Sequence, residues 1–284
     1  MASHELIRAR RGIYARRPAS SELIAVALKG RLTGMSAINA MGGWCWRVPA
    51  VTHVAVAPST SRLGSIPATV RLHWQTPTDI CTDTTLSCVS TADALLRAAL
   101  DEDLENAVAA FDWALQSGRI DRIQFEQILW ALPEAAQRIA AWTDEGSQSV
   151  VESVARVRLL KRGWRVRSQV PVGMLGAIDL VIEGLVGLET DGREFHEATF
   201  ETDRRKDLQI AIEGRMPLRV SARMVRETWP EIENAVGMLL RRARRGDAGS
   251  TGVNTPIPRG RRRSNARSQR WLLSKPKLQP SRRE

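Results

Sequence analysis

Ile178-Asp179-Leu180-Val181-Ile182-Glu183-Gly184-Leu185-Val186-Gly187-Leu188-Glu189-Thr190-Asp191 sets the architecture of the chain. Ile178, Leu180 and Ile182 alternate with Asp179, Val181 and Glu183, a period of two that predicts a half-buried strand. Val186 and Leu188 repeat the pattern against Gly187, Glu189 and Asp191. The two apolar sets must share one face, because a one-residue slip would turn them to solvent. A two-residue loop would put Asp179 and Glu189 on opposite faces. A three-residue loop, Glu183-Gly184-Leu185, sets Ile182 opposite Val186, Leu180 opposite Leu188 and Asp179 opposite Glu189. Gly184 supplies the left-handed conformation such loops use.

The hydrophobic pattern therefore brings Asp179 and Glu189 side by side, with Asp191 two residues further along the same face. Like charges directly opposed destabilise a sheet by roughly 0.2–1 kcal/mol per pair, and a bound divalent cation would remove that cost. A hard cation such as Mg²⁺ (or Mn²⁺) takes oxygen ligands, commonly one or two carboxylates plus a substrate phosphate. Such an ion polarises a phosphoryl oxygen and lowers the pKa of an attacking water. A solvated acidic strand face would show the same spacing.

Around the hairpin, Ser149-Val150-Val151-Glu152-Ser153 begins a helix, and Gln169-Val170-Pro171-Val172 precedes the first strand. Phe195-His196, a charged helix from about Asp203 to Glu213, and the apolar strand Leu218-Arg219-Val220 follow. Taken in order with Ile178-Asp179, Glu189-Thr190-Asp191-Gly192 and Asp203-Arg204-Arg205-Lys206-Asp207, these motifs resemble the Vsr-like endonuclease domain family. That family is a branch of the PD-(D/E)XK nuclease superfamily, and the similarity runs from about Ser149 to Arg241. The resemblance implies a restriction-endonuclease-like core, a mixed sheet flanked by helices. It implies Asp179 and Glu189 as metal ligands, the carbonyl of Thr190 as a third, and Glu152 either completing the acidic cluster or binding a metal-bound water. Where the superfamily usually has a lysine two residues after the glutamate, this chain has Asp191. The charge that stabilises the transition state would then come from His196, Arg204 or Arg205.

His196 is placed to act as general acid or base near neutral pH, or to hydrogen-bond Asp191 and pin the loop. Arg204, Arg205 and Lys206 suit DNA phosphates, although cations in a first helical turn oppose the helix dipole. Alternation with Asp203 and Asp207 fits a solvated charged face equally well.

Toward the amino terminus, Leu6-Ile7-Arg8-Ala9-Arg10-Arg11-Gly12-Ile13-Tyr14 resembles the wing of a winged helix at the start of AbiEi-type antitoxin proteins. The family's preceding helices have no counterpart here, so operator reading by this segment is not expected. Ser20–Gly43 reads as two short helices, the second capped by Ser36. Residues 52–57 and 68–74 read as strands, and Ser90 caps an Ala- and Leu-rich helical region with breaks near Gly118 and Pro133. Trp113, Leu115, Ile123, Phe125, Ile128 and Leu129 are expected in its core. Trp44-Cys45-Trp46 reads as alternating strand residues that are half-buried or in the core. No zinc-ligand array is visible in this half, and Cys45, Cys81 and Cys88 form no Cys-x-x-Cys pair.

The net charge of +11 is unevenly placed. Residues 241–284 hold fourteen Lys or Arg and two acids, a net +12, which leaves −1 for residues 1–240. The Gly-, Pro-, Ser- and Arg-rich tail has too little apolar surface to offset ordering entropy. Its Arg261, Arg262 and Arg263 would bind nucleic-acid phosphates without reading sequence, and binding would weaken steeply with salt. No apolar run has membrane length and no signal-peptide pattern appears. With three scattered cysteines, a reducing cytoplasm is expected.

The organisation expected is α+β or α/β in class. Residues 1–18 form a remnant wing and 19–145 an AbiEi-like mixed α/β domain. Residues 146–245 form the nuclease-like domain, and 246–284 a disordered basic tail. The activity expected is Mg²⁺-dependent DNA cleavage. The alternative is an inactive, antitoxin-like DNA-binding regulator with a toxin-like protein partner.

Overall fold

The structure is a computed structural model that describes residues 6–10, 12–16, 20–61, 63, 65–191 and 200–249. It divides into two compact units, Met1–Ala243 and Arg244–Glu284. His196 and the tail arginines Arg261, Arg262 and Arg263 lie outside the described residues, as does the Asp191 side chain.

Leu6–Arg10 (β1) and Ile13–Arg16 (β2) form an antiparallel hairpin, and Gly12 between them turns left-handed with φ +81°. Helix α1 (Ser21–Ala27) starts at an N-capping Ser20. After the short strand β3 (Arg31–Leu32) comes helix α2 (Gly34–Ala40). Thr33, not Ser36, occupies the cap position of α2. Ser36 lies inside the helix because its hydroxyl is used elsewhere, accepting the His53 N–H at 2.9 Å. Strand β4 (Thr52–Val56) pairs antiparallel with β3 and parallel with β5 (Val70–Trp74). Trp44-Cys45-Trp46 is not strand, but Trp46 is buried as expected.

Helices α3 (Thr91–Asp101), α4 (Leu104–Gln116) and α5 (Arg122–Ala131) follow, each with a polar N-cap. Ser90, Asp103 and Asp121 accept from the N–H three residues on, satisfying donors the helix leaves open. Asp121 and Gln124 make a reciprocal capping box. Helix α6 (Glu134–Gln137) and a 3-10 turn, Arg138–Ala141, lead out of this region. Of the expected core positions Ile123 is an exception, 69% exposed in the first turn of α5, while Ile128 on the other face is fully buried.

Helix α7 (Val150–Lys161) leads into a four-stranded mixed sheet. Its strands are β6 (Val166–Pro171), β7 (Ala177–Ile182), β8 (Val186–Asp191) and β9 (Met216–Ser221). The first three pair antiparallel, and β9 adds parallel to β8 through the crossover helix α8 (Phe200–Ile212). Helices α9 (Ala222–Glu227) and α10 (Trp229–Gly249) complete the described residues. The α/β class and the mixed sheet are therefore as expected. No helix among the described residues is long and apolar enough to cross a membrane.

Within Met1–Ala243 the residues spanning 145 and 146 are knit together. One core gathers Leu32, Ile38, Val54, Leu95 and Phe111, yet it also takes Val157 from α7. A second gathers Leu159, Leu180, Ile182, Leu188 and Val236, yet it takes Trp46 from the amino-terminal half. Between α4 and α7 the Arg156 guanidinium donates to buried Asp112 at 2.7 Å and to the Trp142 carbonyl, which is only partly buried, at 2.6 Å.

Candidate functional site

The β7–β8 hairpin adopts the register required by its apolar pattern: Leu180 faces Leu188, and Ile182 faces Val186. Its loop is Glu183-Gly184-Leu185, with both Glu183 (φ +52°) and Gly184 (φ +76°) left-handed. Ladder pairing stops at Leu180 and Leu188, so Asp179 and Glu189 lie just beyond it. There each carboxylate bonds to the other strand. Oδ2 of Asp179 accepts the Thr190 N–H at 2.7 Å and its hydroxyl at 3.0 Å. Oε1 of Glu189 accepts the Asp179 N–H at 3.4 Å.

Glu152 reaches the same place from the first turn of α7. Ser149 caps that helix, accepting the Glu152 N–H at 3.1 Å. The Glu152 carboxylate accepts the Gln148 N–H and the Gln169 side-chain amide, both at 2.9 Å. Gln169 lies between Ser168 and Val170 on β6, which pair with Leu180 and Ile178, but it turns left-handed with φ +49°. A non-glycine residue in that region costs about 1–3 kcal/mol and persists only where its surroundings enforce it, most often at ligand and active sites.

The electrostatics set the carboxylates apart. Glu152 and Glu189 are 5% and 6% exposed, and burial pushes both carboxyls above their ordinary range. Asp179 pushes them in the same direction, while the Gln148 N–H pulls Glu152 down and Lys206 pulls Glu189 down. Lys206 donates from α8 to Oε2 of Glu189 at 2.7 Å. Arg204 and Arg205, expected to supply that charge or to bind DNA, are exposed on the same helix. Helix α8 begins at Phe200, so these cations lie beyond its first turn and avoid the unfavourable dipole position. Lys206 was legible only as one member of a basic run; the turn it occupies relative to β8 is a tertiary fact.

Thr190 pairs with Val220 in the parallel ladder, and Asp191 pairs with Ser221. The hairpin thus supplies Asp179, Glu189 and Thr190, helix α7 supplies Glu152, and α8 supplies Lys206. Among the described residues, no group of three acidic, histidine or cysteine ligands that includes Asp179 or Glu189 closes to within 4.8 Å. The group that does is His53, His73 and Asp101. The sequence reading, which saw no zinc-ligand array in the amino-terminal half, did not single out this candidate group. The reason is spatial: these ligands come from β4, β5 and the last residue of α3, with no short sequence spacing to reveal them.

Comparison with models of known families, with curated proteins and with solved structures produced no match for this chain.

Proposed function

We propose that the protein is a metal-dependent endodeoxyribonuclease whose centre is Glu152, Asp179 and Glu189, with Lys206 as its fixed positive charge. The observation that carries this reading is the placement of two buried glutamates around Asp179, one of them ion-paired to a lysine from the crossover helix. In this reading Asp179, Glu189 and the Thr190 carbonyl would hold Mg²⁺ or Mn²⁺, which would supply Lewis acidity toward the phosphate and the attacking water. Glu152, whose carboxyl burial pushes above its ordinary range, is the group in this reading that would take up a proton. Lys206 keeps Glu189 oriented and offers its ammonium to the negative charge that builds on phosphorus. DNA is the substrate proposed, with Arg204 and Arg205 on the exposed face of α8 as phosphate contacts.

Plasmid nicking by the purified full chain, with Mg²⁺, Mn²⁺ or EDTA, tests this directly. Asp179→Ala and Glu189→Ala are each expected to reduce metal-dependent nicking at least about 100-fold while leaving circular dichroism unchanged. Equal cutting by wild type and both variants would overturn the assignment. Lys206→Met is expected to slow single-turnover cleavage by about 100-fold at saturating DNA, with little change in DNA affinity. A purely structural lysine would leave that rate untouched in the folded variant.

One observation favours a second reading, a regulator that binds but does not cut. Asp179 is already satisfied by Thr190, and Glu189 by Lys206, so the cluster closes upon itself without a cation. DNA binding that weakens with salt, together with no nicking under either metal, would select this reading. A stable complex with a toxin-like protein would then identify the partner.

A further inference from the structure

We propose that His53, His73 and Asp101 form a binding site for a divalent first-row transition-metal ion such as Zn²⁺, separate from the carboxylate cluster and independent of whether that cluster cuts DNA. His53 on β4 faces Arg71 across the parallel ladder, so His73, two residues along β5, sits diagonally on the same face. Asp101 closes the triangle from the end of α3. Nδ1 of His53 lies 3.2 Å from Nε2 of His73, and Oδ2 of Asp101 lies 3.6 and 3.7 Å from those two nitrogens.

The two imidazole nitrogens lie within hydrogen-bond distance of each other, and Asp101 faces both without joining that bond. The carboxylate oxygen is too far from either nitrogen for a hydrogen bond, which would close to about 2.7–3.2 Å. A tetrahedral ion with Zn–N and Zn–O bonds of about 2.0–2.2 Å spaces its ligand atoms about 3.3–3.6 Å apart. Oδ2 of Asp101 is also a buried acceptor with no hydrogen-bond partner, on a side chain only 9% exposed. Its other oxygen is held by Arg97 at 2.7 Å, which fixes the carboxylate with Oδ2 turned toward the imidazoles. A group that orients a ligand from outside in this way raises affinity and selectivity. Gly34 stands beside the triangle, where a Cβ would come 3.8 Å from Nδ1 of His53 and 3.2 Å from the Arg97 side chain. Two imidazole nitrogens and one carboxylate oxygen suit Zn²⁺, Co²⁺ or Fe²⁺ and not the oxygen-seeking Mg²⁺.

The test uses full-length protein stripped with chelator and returned to metal-free buffer. Zn²⁺ titration by calorimetry is expected to show one tight site per chain, and Zn²⁺ is expected to raise the melting temperature. His73→Gln and Asp101→Asn are each expected to weaken that site at least about 100-fold. Co²⁺ added to the wild type is expected to give d–d absorption without the near-ultraviolet thiolate charge-transfer band that Cys45, Cys81 or Cys88 would produce. This second readout decides the matter even if a variant fails to fold. No saturable Zn²⁺ site, equal binding by folded variants, or a thiolate band in the Co²⁺ spectrum would each overturn the proposal. Nicking activity in Mg²⁺ enters none of these readouts, so failure of the nuclease reading and failure of this site remain distinguishable.

Discussion

Arg156→Ala is expected to lower the free energy of unfolding by about 3–5 kcal/mol, because it leaves the Asp112 carboxylate buried without its countercharge. Asp112 is fully buried and Arg156 is 4% exposed, and the same guanidinium holds the Trp142 carbonyl. The loss carries a pH signature. Burial raises the Asp112 pKa, and Arg156 opposes that rise. Without the arginine the folded-state pKa climbs further above the unfolded value. A raised carboxyl contributes stability that is complete below the unfolded pKa and disappears as pH rises through the folded one. The deficit of the variant is therefore smaller at about pH 5 than at about pH 8. Urea unfolding at the two pH values measures it; a deficit independent of pH would show that Asp112 does not ionise in the wild-type fold. Replacing both partners, Arg156→Met with Asp112→Leu, is expected to recover most of the loss.

Trp46→Ala is expected to cost about 3–5 kcal/mol, the usual range for truncating a buried aromatic side chain. Only 3% of Trp46 is exposed, in a core otherwise built from the carboxy-terminal half. The Arg226 guanidinium lies 4.0 Å from the ring centre and that of Arg158 5.4 Å. Both cations lose an aromatic face in the variant, adding about 0.5–2 kcal/mol between them. Trp130, 74% exposed on α5, is the control: Trp130→Ala is expected to change stability by less than about 0.5 kcal/mol. Equal effects at the two positions would contradict the packing described.

How far the sequence revealed this molecule depended on the range of each interaction. The β7–β8 register was legible because alternation and a three-residue loop leave one solution that buries Leu180 and Leu188 together. The cap at Ser90 was legible for the same local reason, whereas Ser36 misled because His53 claims its hydroxyl. The helix carrying Glu152 and the basic run containing Lys206 were readable, but the meeting of Lys206 with Glu189 depends on how α8 packs over the sheet. His53, His73 and Asp101 were invisible, since only the β4–β5 crossover and the full length of α3 bring them together. Ile123 was misassigned because the helical stripe of α5 faces inward at Ile128 instead.

The exchange of Val157 and Trp46 between the two cores bears on how this chain can be handled and how it can have changed. A gene fusion or deletion with its seam at residue 145 or 146 would leave each product with an apolar hole and an exposed partner surface. Neither piece is therefore a portable cassette.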